Sequence, residues 1–199
     1  AGYPRNEIFF KKEEGEELKK KLGLEGKTVY AYMPTWRGTS NHDINTAAYE
    51  SKVKEIFKLI DKKLGDEQVF FVNFHPILKD SISLSKYKHI KPFPKGIDNY
   101  SFLNCADALV TDYSSVFFDY SLTKKPIILF MYDYDEYMHD RGMYMDVATL
   151  PFRKIYDEKE LAKVLGDESF MNDSYEDTEY FKTFFKYDSP DISEKLLDL

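Results

Sequence analysis

Short, unbroken apolar runs alternate along this chain with longer stretches whose apolar residues recur every three or four positions. The runs are Thr28-Val29-Tyr30-Ala31-Tyr32, residues 68–74, Ala108-Leu109-Val110-Thr111 and residues 126–130, and each reads as a strand. A shorter strand is expected at His89-Ile90-Lys91. Residues 47–64 carry Val53, Ile56, Phe57, Ile60 and Leu64 on one helical face. Residues 13–22 form a charged helix ended near Gly23; Asp98 caps a helix reaching Cys105; Ser114 opens a helix running to about Thr123. Asp157-Glu158-Lys159-Glu160 is an acidic capping box ahead of Leu161, Val164 and Leu165. From Tyr175 onward two further helices are broken at Pro190. Strand and helix alternating in this way predict an open α/β fold, a mostly parallel sheet with helices on both faces. Residues 1–199 are expected to be one domain, with the helices from about residue 175 packed onto it.

Composition supports a packed core, since 43% of residues are hydrophobic. The high aromatic share reads as core and surface packing rather than a stacking platform. A net charge of −7 argues against nucleic acid as a partner, because such binding needs basic surface to displace counterions. It leaves room for an anionic ligand held by backbone N–H groups and one or two cations. The single cysteine, Cys105, excludes an intrachain disulfide, favours a reducing compartment and sits in an apolar stretch that suits a core residue. No apolar run approaches the ~20 residues of a spanning helix, and no signal peptide is visible.

In such sheets ligands bind at the carboxyl ends of the strands. The residues there are 34–38, His75-Pro76, residues 112–115 and Tyr132 onward. The strongest signal is Thr111-Asp112-Tyr113-Ser114-Ser115, followed by Val116-Phe117-Phe118-Asp119. A strand ends and hydroxyl residues begin a helix, whose first turn offers unpaired N–H groups and the positive end of its dipole. This suits a pyrophosphate cradle; it also suits ordinary capping, and the two roles are compatible. Asp119 lies one turn beyond Ser115 on the same face, as an acceptor for ligand hydroxyls or as a plain helix acid. His75, at a strand end, is a candidate to bind phosphate or protonate a leaving phosphate, or a structural histidine. His42, His89 and His139 read as surface residues. Thr35-Trp36-Arg37-Gly38 brings a planar cation for phosphate and an indole that either walls a base pocket or anchors the loop. Arg141-Gly142 is a second arginine beside a glycine, a close-approach loop or a simple turn. Asp133-Tyr134-Asp135-Glu136 reads as a solvated loop rather than a cation site. The P-loop, dinucleotide and α/β-hydrolase motifs are absent, as is any Cys/His metal spacing. No metal and no cofactor are expected.

Taken in order, Gly2-Tyr3-Pro4-Arg5-Asn6, Tyr32-Met33-Pro34-Thr35-Trp36-Arg37, His75-Pro76, Thr111-Asp112-Tyr113-Ser114-Ser115 with Phe118-Asp119, Lys125-Pro126, and Arg141-Gly142 with Tyr144 and Asp146 resemble the C-terminal half of the CDP-glycerol glycerophosphotransferase family of teichoic acid polymerases and primases. The resemblance implies one Rossmann-like half of a GT-B architecture, the half that holds the nucleotide donor. It implies transfer of glycerol phosphate from CDP-glycerol, or a related CDP-polyol, to a hydroxyl of a membrane-bound acceptor, with release of CMP. It assigns His75, Ser114 and Ser115 to the pyrophosphate, with Arg37 nearby and Asp119 toward the donor hydroxyls. Thr35, Thr111, Arg141 and Gly142 complete the expected binding set. The family's acceptor half, with the base for the attacking hydroxyl, has no counterpart here, so this chain alone is expected to be inactive. The parent protein is expected in the cytoplasm, peripheral at the inner face of the membrane. The sequence departs from the family at Val72-Asn73-Phe74, where an arginine is common two residues before the histidine. It departs again at Asp188-Ser189-Pro190-Asp191, which lacks a glycine, and at Lys195, where an arginine is usual. Two other readings stay open: a nucleotide-sugar glycosyltransferase of the same architecture, and a nucleotide-binding domain without turnover.

Overall fold

The computed structural model describes residues 2–35, 37, 46–74 and 82–197. Among them run six strands: β1 (Thr28–Met33), β2 (Gln68–Val72), β3 (Ile90–Pro92), β4 (Ala108–Thr111), β5 (Ile127–Phe130) and β6 (Arg153–Ile155). They form one sheet in the order β3-β2-β1-β4-β5-β6, and every pairing is parallel. The described helices are α1 (Lys12–Lys21), α2 (Thr46–Lys63), α3 (Asn99–Cys105), α4 (Val116–Tyr120), α5 (Tyr134–Asp140), α6 (Glu158–Asp167), α7 (Glu179–Phe184) and α8 (Ile192–Leu197). Single 3-10 turns span Pro4–Phe10, Ser121–Thr123 and Val147–Thr149.

The inner strands β1, β2, β4 and β5 are largely apolar because both of their faces are covered. Tyr30, Tyr32, Phe70, Val72, Val110 and Phe130 face one core, which α2 and α6 close with Ile56, Phe57, Ile60, Leu161 and Leu165. Val29, Ala31, Phe71, Leu109 and Leu129 face the other, which Phe102, Phe117 and Tyr120 close from α3 and α4. Phe9 from the first 3-10 turn and Tyr175 and Tyr180 from the tail join this second core. Emptying a site such as Phe57, which is fully buried, costs about 3–5 kcal/mol.

The caps fall where the sequence put them. Asp98 accepts from the N–H groups of Tyr100 and Ser101, both at 3.0 Å. Asp157 accepts from those of Lys159 and Glu160, both at 2.9 Å. Cys105 is buried, and burial pushes its thiol up to about 11. Three expectations change. Asp133-Tyr134-Asp135-Glu136 is not a solvated loop but leads into α5. The second strand ends at Val72 rather than 74. The His89 side chain is not on the surface: it is 10% exposed, with Nδ1 3.0 Å from the Asp61 carbonyl.

Candidate active site at the strand switch

β1 has β2 on one side and β4 on the other, and the chain leaves these neighbours in opposite directions. A crevice therefore opens between the carboxyl ends of β1 and β4, the switch point of an open α/β sheet. Thr111, expected among the binding residues, forms its floor. It is fully buried and donates its hydroxyl to the Met33 carbonyl at 2.7 Å, tying the two strand ends together.

Above it sits Asp112, 1% exposed, accepting from four groups. These are the Thr35 N–H at 2.8 Å, the Thr35 hydroxyl at 2.6 Å, the Tyr113 N–H at 2.6 Å and Arg37 Nη1 at 2.7 Å. Arg37 is itself only 12% exposed and grips a second carboxylate, with Nε 2.5 Å and Nη2 3.1 Å from Asp133. Burial by itself would lower the Arg37 pKa, but Asp112 and Asp133 outweigh it and hold the guanidinium charged, well above its ordinary value. The aromatic rings of Tyr113 and Tyr137 lie 5.1 and 5.4 Å from the guanidinium carbon. These two rings stack on each other at 3.6 Å and 10°. The phenol of Tyr113 donates to Asp133 at 3.1 Å, and burial followed by Asp133 keeps it protonated well above the usual tyrosine range. Arg37, expected near the phosphate, meets Asp112 and Asp133, and its charge lies between these two carboxylates.

The turn after Asp112 carries the two serines. Ser115 is exposed at the start of α4, and its side chain makes no capping bond. Ser114 Oγ accepts from the Val116 N–H at 3.4 Å, a long contact. Capping therefore occupies neither hydroxyl fully. Asp119, one turn along, is 6% exposed and bonds to groups of the first 3-10 turn and α3. It accepts from the Tyr100 hydroxyl at 2.5 Å and from Arg5 Nη2 at 3.1 and 3.2 Å. Burial, then the bond to Asp119, raises the Tyr100 phenol to about 12, so it stays a donor.

Arg141 ends α5 with its guanidinium 5.8 Å from the Tyr137 ring, the ring that also faces Arg37. Gly142 follows at φ 68°, a left-handed turn that lets its N–H reach the Tyr137 carbonyl at 3.2 Å. The turn reading of Gly142 thus accounts for its conformation, and the loop arrives beside the same tyrosine stack. His75, like Trp36, Gly38 and His42, lies outside the described residues. Sequence reasoning missed Asp133, Tyr113, Arg5 and Tyr100 as members of these clusters. The one available signal was positional: Asp133 follows the end of β5 by three residues.

An all-parallel sheet in this order defines a Rossmann-like α/β unit, a class of fold whose ligand sites lie at the carboxyl edge of the sheet. Over residues 1–199 the chain matches the CDP-Glycerol:Poly(glycerophosphate) glycerophosphotransferase family, and it belongs to that family. It is similar to the teichoic acid poly(glycerol phosphate) polymerase of Staphylococcus epidermidis, at 30% identity over 100% of this chain and 29% of the relative. It is similar also to the teichoic acid poly(ribitol-phosphate) polymerase of Bacillus spizizenii, at 29% identity over 100% of this chain and 32% of the relative. In structure it resembles the wall teichoic acid polymerase TagF, with TM-score 0.78 and 28% identity over 99% of this chain and 49% of the other. A variant of that polymerase has also been solved after a soak with CDPG. The chain thus spans between about a third and a half of the proteins it matches. Among the described residues no helix is long and apolar enough to cross a membrane.

Proposed function

We propose that this chain is the donor-binding part of a glycerophosphotransferase that builds a teichoic-acid-like polymer. The observation that carries the reading is the open Ser114–Ser115 turn beside the β1–β4 crevice in a chain of this family. In this reading the pyrophosphate of CDP-glycerol lies on the N–H groups and hydroxyls of that turn. His75, which follows β2 in the sequence, binds the same pyrophosphate in this reading and protonates the departing CMP phosphate. Thr35 and the Arg141–Gly142 loop border the ligand, while Thr111 and Arg37 hold the walls in place. Asp119 acts toward the ligand through the groups it orients. The acceptor hydroxyl oxygen attacks the phosphorus that carries glycerol. The P–O bond to CMP breaks, CMP leaves with the electron pair, and the acceptor proton passes to a base in the other half of the protein. No metal is required, because helix N–H groups and side chains stabilise the charge. The parent protein works in the cytoplasm at the inner face of the membrane, where its polymeric or lipid-linked acceptor is held.

A second donor is favoured by a specific observation: the chain is as similar to a poly(ribitol-phosphate) polymerase as to the glycerol phosphate enzymes. The nucleotide end of CDP-ribitol is the same. Calorimetric titration in EDTA with CMP, CDP-glycerol, CDP-ribitol and UDP-glucose tests the reading. Heat with the cytidine ligands and none with UDP-glucose is expected. Binding of UDP-glucose alone would make the chain a nucleotide-sugar binder, and a requirement for magnesium would end the metal-free account.

A further inference from the structure

Two grooves share the segment that leads into β3: residues 83–85 line one, and Lys86 and Tyr87 line the other. The first holds about 480 Å³ at the carboxyl ends of β2 and β3, where Val72, Asn73, Pro92 and Phe93 line it. Because the sheet is all parallel, this is the same edge as the β1–β4 crevice. The second holds about 650 Å³ and runs along α2, from Ser51 to Lys62. The shared segment is fixed in place. Ile82 and Tyr87 are buried in the core beneath α2, and the Tyr87 hydroxyl donates to the Lys54 carbonyl at 3.3 Å.

The lining is basic in a chain whose net charge is −7. Lys91 and Lys95 line the first groove, and Lys54, Lys58, Lys62 and Lys86 line the second. Against these six cations stand Glu55 and Asp61, both in the second groove. The Asp61 carboxylate is already engaged, accepting from the N–H groups of Lys88 at 3.2 Å and His89 at 2.7 Å. Lys54 pairs with Glu50 at 3.2 Å, and Lys91 reaches the Tyr87 carbonyl at 3.3 Å. Lys58, Lys62 and Lys95 are exposed and meet no hydrogen-bond or ion-pair partner among the described residues. Lys54, Lys58 and Lys62 recur every four residues, which sets them in one row about 6 Å apart. Cations left unpaired along a concave surface raise the local concentration of anions. A lipid surface would in addition need apolar anchors. Of the large apolar side chains exposed among the described residues, none lines either groove.

We propose that the two grooves form a track for an anionic phosphodiester polymer, the growing chain itself. The inference goes beyond donor binding and rests on the reading above only for the nature of the polymer. Such a polymer carries one negative charge in every repeat, and the lysines meet those charges. The Ser83 and Ser85 hydroxyls, whose oxygens lie 3.0 Å apart, stand beside the path for the hydroxyls of the polyol. A track that reads the repeated charge is indifferent to the alcohol between phosphates, in keeping with the chain's equal likeness to glycerol phosphate and ribitol phosphate polymerases. Because α2 joins the carboxyl end of β1 to the start of β2, its row of lysines leads away from the edge that holds the candidate site.

The test titrates the 199-residue chain, and a triple variant carrying Lys58→Gln, Lys62→Gln and Lys86→Gln, over a range of salt concentrations. The ligands are a glycerol phosphate oligomer long enough to span both grooves, free glycerol 3-phosphate, CDP-glycerol, and vesicles containing phosphatidylglycerol. The oligomer is expected to bind more tightly than glycerol 3-phosphate and to weaken as salt rises. In the triple variant the oligomer should bind about tenfold more weakly at low salt, and the slope of log affinity against log salt should become shallower by about 2, since three fewer phosphates are neutralised. CDP-glycerol affinity and the melting temperature should be unchanged. An oligomer that binds the parent chain and the triple variant alike, or neither of them, overturns the proposal. Vesicle binding that depends on the three lysines, without oligomer binding, overturns it in favour of a membrane contact. An equal loss of CDP-glycerol overturns it by making the band part of the donor site. If the parent chain binds the oligomer but not CDP-glycerol, the track stands and the donor-binding reading falls.

Discussion

Two arginines lie on either side of α4, and they differ in almost every physical respect. Arg37 is 12% exposed, bound by Asp112 and Asp133, and packed against tyrosine rings. Arg5 is 58% exposed and touches one carboxylate with one nitrogen. The buried Arg37 guanidinium spends four of its five N–H donors on Asp133, Asp112 and the Thr35 carbonyl. Its removal would strand two carboxylates in low dielectric. An exposed guanidinium held through one nitrogen keeps its other donors and loses less if cut. The lesson is that an arginine in a motif beside the site is not for that reason a ligand. The carboxylates it meets decide how much of its fork is left.

The comparison is broken most readily by stability. Arg37→Ala should cost about 3–5 kcal/mol in urea unfolding, because Asp112 and Asp133 stay buried without a cation. Arg5→Ala should cost less, about 1–3 kcal/mol, because Asp119 stays buried but keeps the Tyr100 hydroxyl. Equal losses in the two variants would mean that exposure misjudges the Arg5 pair.

Next in size is the ligand effect at the serine turn. Ser115→Ala should weaken CDP-glycerol binding about tenfold by calorimetry, the value of one charge-assisted hydrogen bond at its lower end. Its stability should hold within about 0.5 kcal/mol, since Ser115 makes no capping bond. Ser114→Ala should lose about 0.5 kcal/mol, the low end for a cap, as the 3.4 Å contact implies. If both groups address one pyrophosphate, as proposed, pairing Ser115→Ala with His75→Ala should lose less affinity than the sum. Additive losses would separate their targets.

The smallest effect is a titration. The Tyr100 phenol stands at about 12 in the folded chain, against about 10 for an unperturbed tyrosine. Its bond to Asp119 is thus fully present below about pH 10 and is lost as pH rises through about 12. Phenolate absorbance should show one fewer group titrating near 12 in Tyr100→Phe. Tyr113→Phe should instead remove a group that ionises only as the protein unfolds, since burial and Asp133 hold that phenol higher. If both tyrosines titrate together, the two clusters do not differ in burial as described.

Much of the framework was legible in the chain. Unbroken apolar runs marked β1, β2, β4 and β5, and the one-faced periodicity of Val53, Ile56, Phe57 and Ile60 marked α2. What escaped has physical reasons. Arg153–Ile155 pairs only with β5 as the last strand of the sheet, so only Ile155 needs to be fully buried and the apolar run is missing. Tyr134–Asp140 buries no residue fully and so shows no apolar face. The Pro4–Phe10 turn is too short for any period and is held by the tail rather than by its own composition.

Sequence by itself determined the class of the fold, the caps at Asp98 and Asp157, the hydroxyl turn at Ser114 and Ser115, and the family. All of these depend on neighbours within a few positions or on local patterns read in order. Tertiary structure alone decided which charges meet. Arg37 and Asp133 are 96 residues apart, and Arg5 and Asp119 are 114 apart. No local pattern encodes such pairings: they follow from the order of strands in the sheet and from where the tail folds back. Whether a cation is buried between carboxylates or left exposed depends on that packing, because desolvation and Coulomb attraction act over a few ångströms of space rather than along the chain.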